Sequence, residues 1–157
     1  MKTAIVYYSL DGNCAIVAHE INSILNTDII RLHTTKDKKR SKIGNMFWGV
    51  GMVFLGKKPP LKPYSFNPAA YEKIIIGAPV WADSPAPPVK TFISESGLSG
   101  KKIAIFLCHA GSAGDSANKF KALLAGNEII GEIDFKNAAK SDKEALKQQI
   151  ADWVNRF

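Results

Sequence analysis

Long apolar runs are missing from this chain. None approaches the roughly 20 residues needed to span a bilayer, so no transmembrane segment is expected. Cysteine is scarce. Cys14 and Cys108 stand far apart, without metal-ligand spacing, and imply no secreted disulfide framework. No Ser/His/Asp or Cys/His triad is evident, and no metal cluster. The G-x-G-x-x-G fingerprint is absent after the first strand-like run, and so is the phosphate-loop Gly-Lys-Ser/Thr. These absences argue against a classical dinucleotide or P-loop fold. Repeats, low-complexity segments and a dividing linker are also lacking, so one domain over residues 1–157 is expected. The N-terminus lacks the longer apolar core of a signal peptide, and a reducing, cytoplasmic setting is the expectation.

Acid is in short supply as well: 14 Asp and Glu face 21 Lys and Arg, for a net charge of +7. Such a balance favours acidic partners, whether nucleic acid, anionic membrane or protein. The densest basic run is Lys36 to Lys42, "KDKKRSK". A nucleic-acid reader would interleave such a run with exposed aromatics or set it on a recognition helix. No nucleic-acid partner is therefore expected, and the run reads as a solvated loop or an electrostatic docking patch.

What is present is a rhythm. With 157 residues, 46% of them hydrophobic, the chain can bury a sizeable core. "TAIVYY" (Thr3 to Tyr8) is nearly continuous in apolar residues, as befits a strand buried on both faces. Ile16, Val17, Ile21, Ile24 and Leu25 then recur at helical spacing. Further strands are expected at Asp28 to His33, Lys73 to Gly77, Lys102 to Cys108 and Glu128 to Phe135. Helical patterns lie around 86–96, 116–125 and 141–156. This alternation implies right-handed crossovers and a parallel sheet covered on both faces.

Residues 43–56, "IGNMFWGVGMVFLG", place Ile43, Phe47, Val50 and Phe54 on one helical face. Gly44, Gly49 and Gly51 weaken that helix by about 1 kcal/mol each relative to Ala. A membrane-surface helix is one reading of 36–56. An irregular second helix packed on the sheet is preferred, because the sheet needs apolar cover there.

In an open parallel sheet, ligands bind at the C-terminal strand ends where the winding reverses. Three loops fall there. In Ser9 to Cys14, Gly12 can take φ > 0, and backbone N–H groups at the following helix start can converge on one anion. Ser9 and Asn13 add side-chain donors. The second loop, Gly77 to Ser84, sets Trp81, a large planar side chain, just past a strand end, as an aromatic wall for a ligand or as a cap over the core edge. The third, Cys108 to Asp115, is built of small residues that let a flat ligand approach the backbone. A phosphate at the first loop and an aromatic wall at the second suit a phosphorylated planar ring.

"YYSLDGN" resembles the phosphate loop of the flavodoxin family, aromatic-Ser/Thr-x-Thr-Gly-Asn-Thr. "GAPVWADSPAPPVKTFI" resembles that family's second flavin loop, and "LSGKKIAIFLCHAGSAGD" its fourth strand and third flavin loop. The resemblance runs over essentially the whole chain and is closest to the short-chain form. It implies a doubly wound five-stranded parallel sheet, order 2-1-3-4-5, in a three-layer α/β/α arrangement, with FMN as cofactor. By resemblance Ser9, Leu10, Asp11, Gly12, Asn13 and Cys14 surround the phosphate. Pro79, Val80, Trp81, Ala82 and Asp83 border the isoalloxazine, with Cys108, His109, Gly111 and Asp115 on the third loop.

Several positions depart from the family pattern. Asp11 and Cys14 stand where threonines commonly occur. An ionised Asp11 cannot donate to a phosphate, and at about 6 Å it repels each unit of phosphate charge by roughly 0.7 kcal/mol in water or 3 kcal/mol at an effective dielectric near 20. It is expected to turn its carboxylate to solvent and give only its N–H. Cys14 is expected to be a packing residue. His109, the third loop's only ring, is read equally as a flavin partner or an exposed histidine. Ala82 stands where the family often has a glycine whose peptide flip bonds the reduced flavin, so support for the one-electron-reduced state is expected to be weak.

The first functional reading is a non-covalent FMN electron carrier serving redox partner proteins, with an acidic docking face suiting the basic chain. The second is an FMN-dependent NAD(P)H oxidoreductase acting on a quinone or similar acceptor. The third is a flavodoxin-like binding module without a redox role.

Overall fold

The computed structural model describes residues 2–35, 37 and 42–157, with the backbone alone at 42, 43 and 45–47. Among these residues five parallel strands form the sheet: β1 (Thr3–Tyr8), β2 (Asp28–Leu32), β3 (Lys73–Trp81), β5 (Lys102–His109) and β6 (Glu128–Lys136). Their spatial order is β2-β1-β3-β5-β6. This is the expected order, with the winding reversing between β1 and β3. A sixth strand, β4 (Ser84–Pro85), pairs antiparallel with the end of β3, Val80 opposite Pro85 and Trp81 opposite Ser84. The second loop is thus mostly strand: β3 runs on to Trp81 and turns back as a hairpin.

Among the described residues five α-helices cover the sheet: α1 (Asn13–Leu25), α2 (Lys42–Phe54), α3 (Pro87–Ser96), α4 (Ser116–Leu123) and α5 (Lys143–Val154). Alternation along each strand feeds two separate cores. Ala4, Val6, Tyr8, Ile74, Ile76, Ile105 and Leu107 pack with Val89 and Phe92 of α3 and Phe120 of α4. Ile5, Tyr7, Ile75, Phe106 and Cys108 pack with Val17 and Ile21 of α1 and Ile150 and Trp153 of α5. Burial on both faces is why these strands read as unbroken apolar runs. Gly77 is the exception in the centre of β3. It pairs in register with Phe106, whose ring fills the space a Cβ at 77 would need.

Helix α2 packs on the sheet near the end of β3, as preferred from sequence, but not through the face expected. Met52 is buried and the backbone of Gly49 lies against Trp81, whereas Phe54 is 80% exposed. The side chains of Ile43 and Phe47 lie outside the described residues. So does the basic run 36–42, apart from Asp37 and the backbone of Lys42. Asp37 is tied in: it accepts from the Tyr8 hydroxyl at 2.9 Å and from the Thr34 amide at 2.8 Å. No helix among the described residues is long and apolar enough to cross a membrane.

Candidate functional site

The C-terminal ends of β1, β3, β5 and β6 bring four loops together. The first begins at Ser9, which is buried. Its Oγ accepts from the Gly12 amide at 3.2 Å and the Ala15 amide at 3.3 Å. A hydroxyl has two lone pairs and one proton; both lone pairs are used, and the proton is left to donate. Gly12, at φ 97, makes the left-handed turn that reverses the chain into α1. Among the described residues the amides of Leu10, Asp11 and Cys14 meet no protein acceptor. Three N–H groups and one O–H thus remain for an external anion at a helix N-terminus.

Asp11 is exposed but does not simply face solvent. Its Oδ1 accepts from the Asn13 amide at 3.2 Å, closing an Asx turn over the helix start. The carboxylate thereby takes up one amide at the start of α1. Asn13 reaches across the molecule: its Oδ1 accepts from the Ala139 amide at 2.9 Å. That bond fixes the carboxamide and leaves its N–H groups as the free end.

Cys14 and Cys108, distant in sequence, meet beneath this loop, both buried and unbridged. Burial pushes the Cys14 thiol well above its usual range, and the neighbouring Cys108 thiol adds to the effect. Neither thiol should react with a disulfide reagent in the native protein, and both should react once it is unfolded in urea. A native thiol titrating rapidly near neutral pH would contradict that burial.

In the second loop Ala82 and Asp83 have φ of 46° and 53°. Two left-handed residues between paired positions make a type I′ hairpin turn. It usually takes Asn-Gly, and here it carries alanine at some cost in strain. Trp81, half-buried, meets Tyr8 edge-on at 5.8 Å and Trp48 at 5.7 Å. A Cβ at Gly49 would come within 3.0 Å of its indole, so α2 covers part of the ring. Pro79 is buried and its carbonyl accepts from the Ala86 amide at 2.9 Å, and Val80 packs against the core.

The third loop touches the second. Gly114, at φ 52, leaves the space that the Asp83 side chain fills, and Lys119 of α4 donates to the Asp83 carbonyl at 2.8 Å. Gly114→Ala would need both a strained φ and displacement of Asp83. It should cost about 1–3 kcal/mol, read by urea unfolding. His109 is not an exposed loop residue: its side chain is 8% exposed, and its Nε2 lies 2.7 Å from Asp134 Oδ2. Its Nδ1 is buried and has no hydrogen-bond partner among the described residues. Gly111 and Asp115 are exposed, the latter accepting from Asn118 at 2.9 Å.

Residues after β6, which sequence reading leaves out, form the fourth loop. The Asn137 amide donates to the His109 carbonyl at 2.8 Å. Arg31 of β2 is also missed; its Nη2 donates to the Ser9 carbonyl at 3.0 Å. The signal was available, since an arginine near the C-terminal end of an apolar strand, "DIIRLH", has a charge to place at that edge.

A parallel sheet in this order, with a serine-anchored loop of unpaired amides, a tryptophan hairpin and a small-residue loop at one edge, defines a flavodoxin-like α/β protein. The chain belongs to the flavodoxin family, whose model matches residues 2–157. Among solved structures it is similar to a flavoprotein in complex with FMN from Lactobacillus acidophilus. The identity is 22%, 98% of each chain is covered and the TM-score is 0.77. Oxidised flavodoxin 1 from Bacillus cereus is 18% identical, with 100% of this chain and 99% of that one covered and a TM-score of 0.60. Two-electron reduced flavodoxin from Megasphaera elsdenii is 20% identical, with 95% and 96% covered and a TM-score of 0.60. No curated protein matches the chain in sequence.

Proposed function

We propose that this flavodoxin binds FMN non-covalently and carries electrons between redox partner proteins. The observation that carries the reading is the first loop. The Ser9 hydroxyl proton and the amides of Leu10, Asp11 and Cys14 form a donor set at the start of α1, with both lone pairs of the hydroxyl already committed to holding the loop. Arg31, bound to the Ser9 carbonyl, adds positive charge behind it. The family membership and the FMN of the Lactobacillus flavoprotein support the same assignment.

Bound FMN would supply the electron chemistry. The chain's own part is to hold, orient and shield. Ser9, Asn13 and the loop amides would bind the phosphate. The Trp81 hairpin and the His109 loop would flank the ring, with Trp81 presenting only the surface that α2 leaves open. His109 fits such a group: one nitrogen is fixed by Asp134 and the other is buried and unsatisfied, so a polar edge arriving there gains a hydrogen bond.

The test is anaerobic and optical. Loaded with FMN, the protein should keep its yellow colour with NADH or NADPH alone. It should bleach with dithionite and recover on adding ferricyanide. Rapid bleaching by a nicotinamide cofactor would instead support an NAD(P)H oxidoreductase. Failure to quench added FMN fluorescence would leave a flavodoxin-like module without the cofactor.

A further inference from the structure

Helix α2 ends in a Schellman motif. The Gly56 amide donates to the Val53 carbonyl at 3.0 Å and the Lys57 amide to the Met52 carbonyl at 3.1 Å, with Gly56 at φ 58. The helix end is therefore closed and ordered. Just there the chain displays two adjacent large apolar side chains, Phe54 at 80% and Leu55 at 69% exposure, the two most exposed large hydrophobics among the described residues. Gly56, Lys57 and Lys58 after them are exposed as well. Single exposed apolar residues need no explanation, but a contiguous pair on a capped, lysine-flanked helix end marks an interaction site.

Charge identifies the partner. Residues 36–62 hold eight of the chain's 21 lysines and arginines and only one of its 14 acids. The net charge of that segment equals the +7 of the whole chain, so the remainder is balanced. The entire excess flanks one apolar helix, with Lys57, Lys58 and Lys62 on its C-terminal side and five basic residues at or before its start. Exposed apolar side chains followed directly by exposed lysines, in the segment that carries the whole charge excess, match a surface that is negative outside and apolar just beneath.

We propose that the end of α2 docks on an anionic lipid bilayer, with Phe54 and Leu55 entering the acyl boundary and Lys57, Lys58 and Lys62 seated among the headgroups. The other face of the same helix covers Trp81 through Gly49, about 8 Å away along the helix axis at 1.5 Å per residue. Docking would therefore hold the Trp81 hairpin close to the membrane surface.

The experiment is co-sedimentation of the full chain with vesicles of two parts phosphatidylcholine to one part phosphatidylglycerol, and with phosphatidylcholine alone. Binding is expected on the anionic vesicles only, and it should weaken at least about tenfold between roughly 0.1 M and 1 M salt, as the screening length shortens. F54S/L55S should weaken it at least about tenfold with its thermal melt unchanged, both side chains being exposed. K57E/K58E should do the same. No binding to anionic vesicles at low salt would overturn the proposal. So would equal binding to neutral vesicles. Unchanged binding of F54S/L55S would also overturn it, since that would assign the patch to charge alone and so to an acidic macromolecule.

Discussion

Phe106→Ala should lower the stability of the protein by roughly 3–5 kcal/mol, the largest single effect expected outside the cofactor site. Phe106 is fully buried at the centre of β5. Its ring passes over Gly77 of the neighbouring strand, the one β3 position without a side chain of its own to fill the gap. Truncation would leave a void that neither glycine nor the flanking strands can close. The reciprocal change, Gly77→Val, would drive two methyl groups into the same ring and should also destabilise strongly, by overpacking. Urea unfolding of Phe106→Ala, Gly77→Val and the double variant checks the idea. The pair should recover part of the loss, because the added methyls occupy the vacated space. Simple additivity of the two penalties would mean that the ring and the glycine are not complementary.

The legibility of such features differs along the chain. The central strands β1, β3 and β5 follow from continuous apolar runs, since a strand buried on both faces has no polar alternation to blur it. β2 and β6, at the sheet edges, were legible from their place in the strand–helix rhythm, and the order of the five came with the family resemblance. β4 was not legible. Ser84 and Pro85 are two residues with one proline, and the turn before them, Ala82-Asp83, lacks the glycine or asparagine that announces a type I′ hairpin. In the site, Ser9, Asn13, Trp81 and His109 stood out because each sits within a few residues of a strand end. Their supports did not. Ala139 meets Asn13 across 126 positions, Arg31 meets Ser9 across 22, and Asp134 meets His109 across 25. Such contacts are made by the sheet order and not by any local pattern. The same holds for Cys14 and Cys108, which sequence spacing separates and the sheet joins. For Asp11, charge alone suggested a carboxylate turned to water. The local geometry instead offered an N–H two residues on, and a short acid takes such a donor readily.

That last detail governs the strongest prediction about binding. Riboflavin, which lacks the phosphate, should bind the protein about a hundredfold to a thousandfold more weakly than FMN. Charge-assisted hydrogen bonds are worth about 1.5–3 kcal/mol each. Two of them from the Ser9 hydroxyl and the free loop amides already supply roughly 3–6 kcal/mol, or a hundredfold and more. Asp11 opposes this in two ways. Its charge costs on the order of 1 kcal/mol per nearby unit of negative charge at an exposed position, and its carboxylate holds the Asn13 amide that the phosphate could use. Asp11→Thr removes both penalties and restores a hydroxyl. It should tighten FMN by about tenfold while leaving riboflavin unchanged, so the ratio between the two ligands widens. Ser9→Ala should collapse that ratio, because it deletes the hydroxyl donor and frees the Gly12 and Ala15 amides from their common acceptor. Fluorescence titrations of the three proteins with both ligands decide the matter. Equal affinity for FMN and riboflavin in the unaltered chain would remove the phosphate from the first loop. A tightening of riboflavin by Asp11→Thr would show that the acid acts on the loop's shape and not on the charge of its ligand.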